Sequence, residues 1–425
     1  MLSWYFKTNL LVRIIVGLIL GVVVGLIMGP QAEIFSPVGD ILVRSLKMIV
    51  MPVIISTIIV GAGSVTPSQL GKVGAKCMGI YMLTTAFAVV IGLFYGNLFH
   101  PGKGLELAAG SVTLAPIPFN ETSFWDVLIM VIPTNPFQAI AEGDVLATIF
   151  FCISMGIAIS ILRHSEDERI KNAGDSLFYL FEGLAEVMYI VIGWVLEYVP
   201  IGVFALIAVV FGSQGAGAFG PLGMVVCAIY IAFATHVLVV YGGGLLFFGV
   251  NPIVFFRKIK TASIAAFVTR TSSGVLPISM EVADKELGVD KGIYSFSLPL
   301  GATVNMDGTA IYQGVCALFI GFAIGEPLTF NQQMTIIGTT VLASLGTAGI
   351  PGSGAIMLMI VLNSVGLDVT PGSPAALAYA MIFGIDALLD MGRSCTNVTG
   401  DLAVTCAIAS SENEINRECW SNISK

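Results

Sequence analysis

The chain has 425 residues, 56% of them hydrophobic and only 11% charged, with a mean hydropathy of +0.92. Soluble domains carry about a quarter charged residues, so this composition argues against a soluble globular protein and for one that crosses a membrane repeatedly. The net charge of −8 comes without a basic run or stripe, against nucleic acid as a partner; the seven scattered cysteines lack metal spacing and argue against a disulfide framework.

The first apolar run, 8–29, has the length of a membrane span and no small-residue cleavage site after it, and reads as a retained first helix. Runs at 37–64 and 75–99 follow. The next, 123–163, is too long for one crossing and carries "VIPTNP" and "AEGD", which should break it. Runs at 180–212 and 216–250 precede two segments with breakers near their middles: 261–282 with "TRTSSG" and 333–367 with "GTAGIPGSG". Their shorter halves fall below the roughly 20 residues a helix needs to cross, so both are expected to be re-entrant hairpins. Backbone exposed at membrane depth is tolerated only inside protein or beside a water-filled cavity, which already points to a binding site. The runs 293–325 and 373–411 follow the first and second hairpin respectively.

Basic residues agree with this topology. With the N-terminus cytoplasmic, the inner loops receive Lys7, Arg13, Lys72, Lys76, the groups at 163–171 and 257–260, Lys285, Lys291, Arg417 and Lys425; the outer loops receive Lys103. Both termini are then cytoplasmic. The helix after each hairpin holds a related motif, "NMDGT" at 305–309 and "NVTGD" at 397–401. Hairpin plus broken polar helix, twice and in opposite orientation, is an inverted repeat, an architecture that puts substrate and ions at the midplane.

The last run is the most polar. It carries Asp386, Asp390, Arg393, Asn397 and Asp401, and at roughly 100° per residue all five fall within an arc of about 80°. Each ionised group near a bilayer centre costs roughly 2.5–3.5 kcal/mol, so the stripe must face partners. One reading is a buried salt-bridge ladder with Arg393 pairing to Asp390. The reading favoured here is a site. Carboxylate, amide and carbonyl oxygens around Asn305 and Asp307, without sulfur or imidazole, suit a hard cation such as sodium. Arg393 can grip a carboxylate with both arms of its fork, and Asp390 can take an ammonium. A ligand with both groups and a further carboxylate is an acidic amino acid. Arg270, Thr271, Ser272 and Ser273 at the first hairpin tip suit an anionic group, with Arg270 favoured as a structural counter-charge and helix capping the alternative for the serines.

"TRTSSG", "NMDGTA", "GTAGIPGSGAIML" and "DMGR…NVTGD" closely resemble the glutamate transporter family of dicarboxylate/amino acid:cation symporters over nearly the whole chain, above all the archaeal and bacterial sodium-aspartate symporters. The resemblance implies an all-α polytopic membrane protein with eight transmembrane helices and two re-entrant helical hairpins, a homotrimer, and elevator-type transport. It implies a scaffold from 1–73 and 123–214, transport-domain segments 74–122 and 215–412, and a cytoplasmic tail 413–425. Carried over by motif, the substrate would meet Arg270, Thr271, Ser272, Ser273, Thr309, Ile350, Gly354, Asp390, Arg393, Ser394 and Asn397. One sodium would use Gly301, Asn305, Asn397 and Asp401. A second would use Thr303, Met306, Ser344, Leu345 and Thr347. A third would use Tyr81, Thr84, Thr85, Asn305 and Asp307. The family implies about three sodium ions per substrate at such midplane sites.

Within the resemblance, Arg393 speaks against the neutral-amino-acid exchangers and Asp390 against the dicarboxylate branch. Gln313 stands where animal members carry a glutamate associated with proton and potassium coupling, which implies sodium-only symport; some bacterial relatives use protons. The expected function is sodium-coupled uptake of L-aspartate, with L-glutamate the second candidate, in the cell membrane; the chain is not expected to be an enzyme. The alternative is a proton-coupled glutamate or dicarboxylate symporter; an anion channel or an intramembrane aspartyl protease is remote, because neither requires both an ammonium partner and Arg393. His100 and His164 fall near segment ends. His236 lies mid-run without an acidic neighbour in sequence and reads as a core histidine rather than a proton carrier.

Overall fold

The computed structural model describes residues 8, 10–64, 72–105, 107, 132–142, 144–344, 347, 349, 352–416 and 418–421. Among these, every regular element is a helix, and the one β pairing is an isolated bridge between Val289 and Ile415. Five stretches are long and apolar enough to cross a membrane: Val12–Gly63, Gly74–Phe99, Glu168–Phe247, Lys291–Ile324 and Pro374–Ser411.

Helices α1 (Leu10–Met28) and α2 (Ser36–Ser64) are joined by a tight 3-10 turn that Pro30 opens. α3 spans Lys72–Phe99, α4 Pro136–Glu142, α5 Val145–Arg163 and α6 Glu168–Gln214. The expected break at "AEGD" is present between α4 and α5, where the Asp144 side chain caps α5 by accepting the Ala147 N–H at 3.2 Å. α6 has 47 residues and is about 70 Å long at 1.5 Å per residue, so it outreaches a bilayer core and carries Pro200 within it.

Glycines fit α1 to α6. A Cβ on Gly17, Gly21 or Gly25 would stand 2.4, 2.7 or 2.5 Å from the carbonyl oxygens of Pro200, Phe204 and Ala208. The register advances by four on both helices, so a stripe of hydrogens on one lies along a row of carbonyls on the other. Small residues at this spacing let backbones meet where lipid offers no hydrophobic drive to association.

α7 (Phe219–Thr235) runs into a π-turn, His236–Tyr241, and then α8 (Gly242–Phe247). α9 covers Pro252–Lys258. Two helix pairs follow the predicted breaks: α10 (Lys260–Thr269) with α11 (Ser272–Glu281), and α14 (Phe330–Ser344) with α15 (Ser353–Ser364). The arms of each pair pack on each other. With 10, 10, 15 and 12 residues, none reaches the roughly 30 Å of a hydrocarbon core. Between the pairs, α12 (Lys291–Val304) and α13 (Asp307–Ile324) are separated by Asn305 and Met306. α16 (Pro374–Ser411) packs against α13, α10, α12 and α6, and a short α17 (Glu418–Ser421) ends the described chain.

The expectation of a broken helix after each hairpin holds once. The first break is real, but α16 runs unbroken through "NVTGD". The side chains of that motif, Asn397, Thr399 and Asp401, find partners sideways on other elements, so the backbone ladder has no need to open.

The buried residues form two apolar clusters. Along α16 the first takes residues up to Leu389 and the second starts at Val398. The polar segment Asp390–Asn397 therefore lies at their junction.

Candidate functional site

The two echoed motifs meet. α12 ends at Val304; Asn305 leaves helical geometry at φ −87°, ψ 89°, and Met306 follows at φ −113°, ψ 44°. A broken helix deep in an apolar body must have its freed groups satisfied from elsewhere. α16 satisfies them. The Asn305 side-chain amide donates to the Asn397 carbonyl at 3.1 Å and to Asp401 Oδ1 at 2.9 Å, and the Gly308 N–H donates to Asn397 Oδ1 at 2.8 Å. Asn397 Nδ2 reaches Met306 Sδ at 3.3 Å. Asn305, Met306, Asp307, Thr309, Ser394, Asn397 and Asp401 are all buried. Gly301 carries the same convergence: a Cβ there would stand 2.6 Å from both Asp401 Oδ1 and the Tyr81 hydroxyl.

Asp307 is held on three sides. Thr85 donates to Oδ1 at 2.6 Å, Tyr241 donates to Oδ2 at 2.8 Å, and His236 Nε2 lies 3.0 Å from Oδ2. Thr85 was expected; His236 and Tyr241 were not. His236 does have an acidic neighbour, in space rather than in sequence. Tyr81 donates to the Ser297 carbonyl at 3.0 Å and Thr84 to the Tyr81 carbonyl at 3.1 Å; Tyr81 lies one turn before Thr85 on the same face of α3. One readable signal was the spacing of His236 and Tyr241. In a π-turn, bonded i→i+5, residues five apart approach one side, and here the two rings lie 4.6 Å apart.

Arg393, 1% exposed, is closed on two carboxylates. Its Nη1 donates to Asp386 at 2.9 Å; its Nη2 donates to Asp390 at 2.7 Å and to Asp386 at 3.3 Å. The guanidinium carbon lies 4.3 Å from the centre of the Tyr312 ring. The Arg393–Asp390 pairing of the ladder reading is thus present, extended to Asp386, which sequence reasoning left out of the binding set. The second Asp390 oxygen is bound loosely, accepting the Gly352 N–H at 3.4 Å. Gly354 lies directly on the fork: a Cβ there would stand 2.5 Å from Nη1.

The two helix pairs touch at Thr271 and Gly349. Thr271, rather than Ser272 or Ser273, caps α11, accepting the Gly274 N–H at 3.0 Å, and its hydroxyl donates to the Gly349 carbonyl at 2.6 Å. Ser272 is buried and Ser273 exposed; the Ser273 N–H also reaches Gly349 O, at 3.3 Å. Arg270 sits in left-handed geometry at φ 58°.

The second sodium set is the least assembled. Thr303 is exposed and donates to the Leu300 carbonyl of its own helix, as Ser344 and Thr347 do to Val341 and Ala343. Leu345 and Ile350 lie outside the described residues.

Four buried carboxylates, Asp307, Asp386, Asp390 and Asp401, stand here against one buried guanidinium. Asn305 Oδ1 is buried with no hydrogen-bond partner. An unpartnered acceptor beside excess negative charge fits a hard cation held by oxygen. Among the described residues no cluster of three or more His, Cys, Asp or Glu side chains forms a transition-metal site.

Residues 10–411 match the profile of the Sodium:dicarboxylate symporter family. The chain belongs to that family. It is 34% identical over 387 residues to the proton/sodium-glutamate symport protein of Bacillus subtilis, covering 89% of this chain and 86% of the relative. It is 30% identical over 426 residues to the proton/glutamate-aspartate symporter of Escherichia coli, covering 98% and 94%. The C4-dicarboxylate transport protein 1 of Polaromonas naphthalenivorans is 31% identical over 392 residues, covering 91% and 83%. Family and relatives are transporters rather than enzymes, and with the long apolar helices they make this a multi-pass membrane protein. The family match spans both helix pairs and the whole Asn305–Asp401 cluster, so the site lies within the part that matches the symporter family.

Proposed function

We propose that the chain couples sodium entry to uptake of an acidic amino acid, L-aspartate first and L-glutamate second. The observation that carries this is Arg393 divided between Asp386 and Asp390 beneath the second hairpin tip. Asp390 can turn its loosely held oxygen to a ligand ammonium, and the released edge of Arg393 can take a ligand carboxylate. That exchange replaces internal pairs with ligand pairs and leaves no buried ion unpartnered. A dicarboxylate without an ammonium offers Asp390 nothing.

Charge supplies the coupling. An acidic amino acid carries one net negative charge into a site already rich in carboxylates, so it enters with cations. The sites proposed for them are Gly301, Asn305, Asn397 and Asp401; Tyr81, Thr84, Thr85, Asn305 and Asp307; and Thr303, Met306 and the carbonyls around Ser344–Thr347.

In this proposal the short helix pairs are re-entrant hairpins, the termini are cytoplasmic, and the chain works as a homotrimer. The segments 1–73 and 123–214 form the scaffold, and 74–122 with 215–412 form the part that moves as an elevator. That division is supported by packing: α1, α2, α5 and α6 pack mainly on one another, while α3, α7 and α10–α16 gather around the polar cluster. A second reading, proton coupling, is favoured by His236 against Asp307 and by the names of the Bacillus and Escherichia relatives.

Uptake of labelled aspartate into proteoliposomes, with sodium and proton gradients imposed separately, tests both. Sodium-driven uptake abolished by Asp390→Ala supports the proposal; uptake driven by protons alone supports the second reading, and uptake indifferent to Asp390→Ala removes the site.

A further inference from the structure

We propose that the π-turn His236–Tyr241 positions the cation site at Asp307, and that His236 sets how tightly that site holds its ion. This inference rests on the sodium reading above. The ligands implied for that site, Tyr81, Thr84, Thr85, Asn305 and Asp307, lie on α3 and at the α12–α13 break; His236 and Tyr241 come from a third element, which packs against α3 and α16 and reaches Asp307.

Asp307 Oδ2 receives two neighbours from one turn, the Tyr241 hydroxyl at 2.8 Å and His236 Nε2 at 3.0 Å, while Oδ1 receives Thr85 at 2.6 Å. Two bonds to one oxygen saturate it and fix the plane of the group. The remaining acceptor capacity of the carboxylate is then on Oδ1, on the Thr85 side, where the implied ligands lie. An ion site gains affinity when its charged ligand is held in place before the ion arrives, and outer partners of a ligating carboxylate commonly do this.

The histidine is suited to that work as a donor: with Asp307 the acceptor, Nε2 carries the proton of the bond. Nδ1 is buried with no partner, and the residue is fully enclosed. The ring therefore has one polar contact, and it is Asp307. The edge-on packing of the two rings, 4.6 Å apart at 80°, holds both donors on the same oxygen. An α-helical turn would separate residues five apart; the i→i+5 bonding of the π-turn brings them together.

Tyr241 also ties the site to its neighbour. Its hydroxyl stands 2.2 Å from where a Gly400 Cβ would be, beside the Asn305 amide that binds Asp401. The π-turn thus touches the carboxylate of one implied ion set and the glycine next to the carboxylate of the other.

The test measures half-saturating sodium for aspartate uptake in proteoliposomes, and the sodium dependence of melting without aspartate, for wild type, His236→Ala, His236→Gln and Tyr241→Phe. Loss of one hydrogen bond to a charged group predicts an increase in half-saturating sodium of about tenfold for His236→Ala and for Tyr241→Phe. His236→Gln keeps an uncharged N–H donor at similar reach and returns the value to within about threefold of wild type. Half-saturating aspartate at saturating sodium stays unchanged in all three. If His236→Ala does not fold, Tyr241→Phe and His236→Gln carry the test by differing from each other as stated. A sodium-responsive wild type whose variants respond identically overturns the inference alone, as does a glutamine variant no better than alanine. A wild type that transports aspartate without responding to sodium overturns the coupling-ion reading and this inference with it.

Discussion

Thr271 donates its hydroxyl to the carbonyl of Gly349 at 2.6 Å and accepts the N–H of Gly274 at 3.0 Å with the same oxygen. One hydroxyl therefore both caps α11 and ties the first helix pair to the second. Thr271→Val keeps the shape and loses both bonds. We expect about 1–2 kcal/mol lower stability and a raised half-saturating aspartate concentration, with Thr271→Ser close to wild type. Melting and uptake of the three proteins check this; a valine variant equal to wild type would show that the pairs meet without holding.

Arg393 bridges two carboxylates, a geometry that needs a planar fork. Arg393→Lys keeps the charge but not the bridge, so acidic-substrate uptake should fall at least tenfold, while the fold survives. Arg393→Ala leaves Asp386 and Asp390 facing each other and should cost about 3–5 kcal/mol of stability. Lysine transporting aspartate like arginine would mean that charge alone suffices.

Gly354 and Gly400 both exclude a side chain, against different neighbours. A Cβ on Gly354 meets the end of Arg393, 2.5 Å from Nη1, and the guanidinium makes room only by giving up bonds to Asp386. Gly354→Ala should therefore cost about 1–3 kcal/mol of stability and impair aspartate binding. Isothermal titration of aspartate at saturating sodium, beside a melting curve, separates the two effects.

At Gly400 the obstruction is packed on all sides: the Tyr241 hydroxyl at 2.2 Å and its ring carbon Cζ and the Asn305 amide at 2.6 Å. Gly400→Ala should cost about 1–3 kcal/mol of stability, since no neighbour can withdraw without losing its own bond. Adding Tyr241→Phe should recover only part, because the ring remains. Complete recovery in the double variant would mean that the hydroxyl alone was in the way.

Much of this was legible along the chain. Glycine and proline at 346–354 and the "TRTSSG" turn marked the two helix pairs, because a break in an apolar segment is visible as composition. The polar stripe of α16 was readable from the 3.6-residue period, which put Asp386 through Asp401 on one side of a helix whatever that side met. Thr271 was legible as a residue but not as the cap.

What the sequence by itself determined is periodic or local: a helical membrane chain, the breaks within the two helix pairs, and which face of the last helix is polar. Only the tertiary structure decided who meets that face. It set Asn305 against Asn397 and Asp401, kept α16 whole where "NVTGD" suggested a break, and set His236 against Asp307, 71 positions away. Contacts between distant elements depend on how the helices pack, and packing depends on shape and close approach, which no short window of sequence contains.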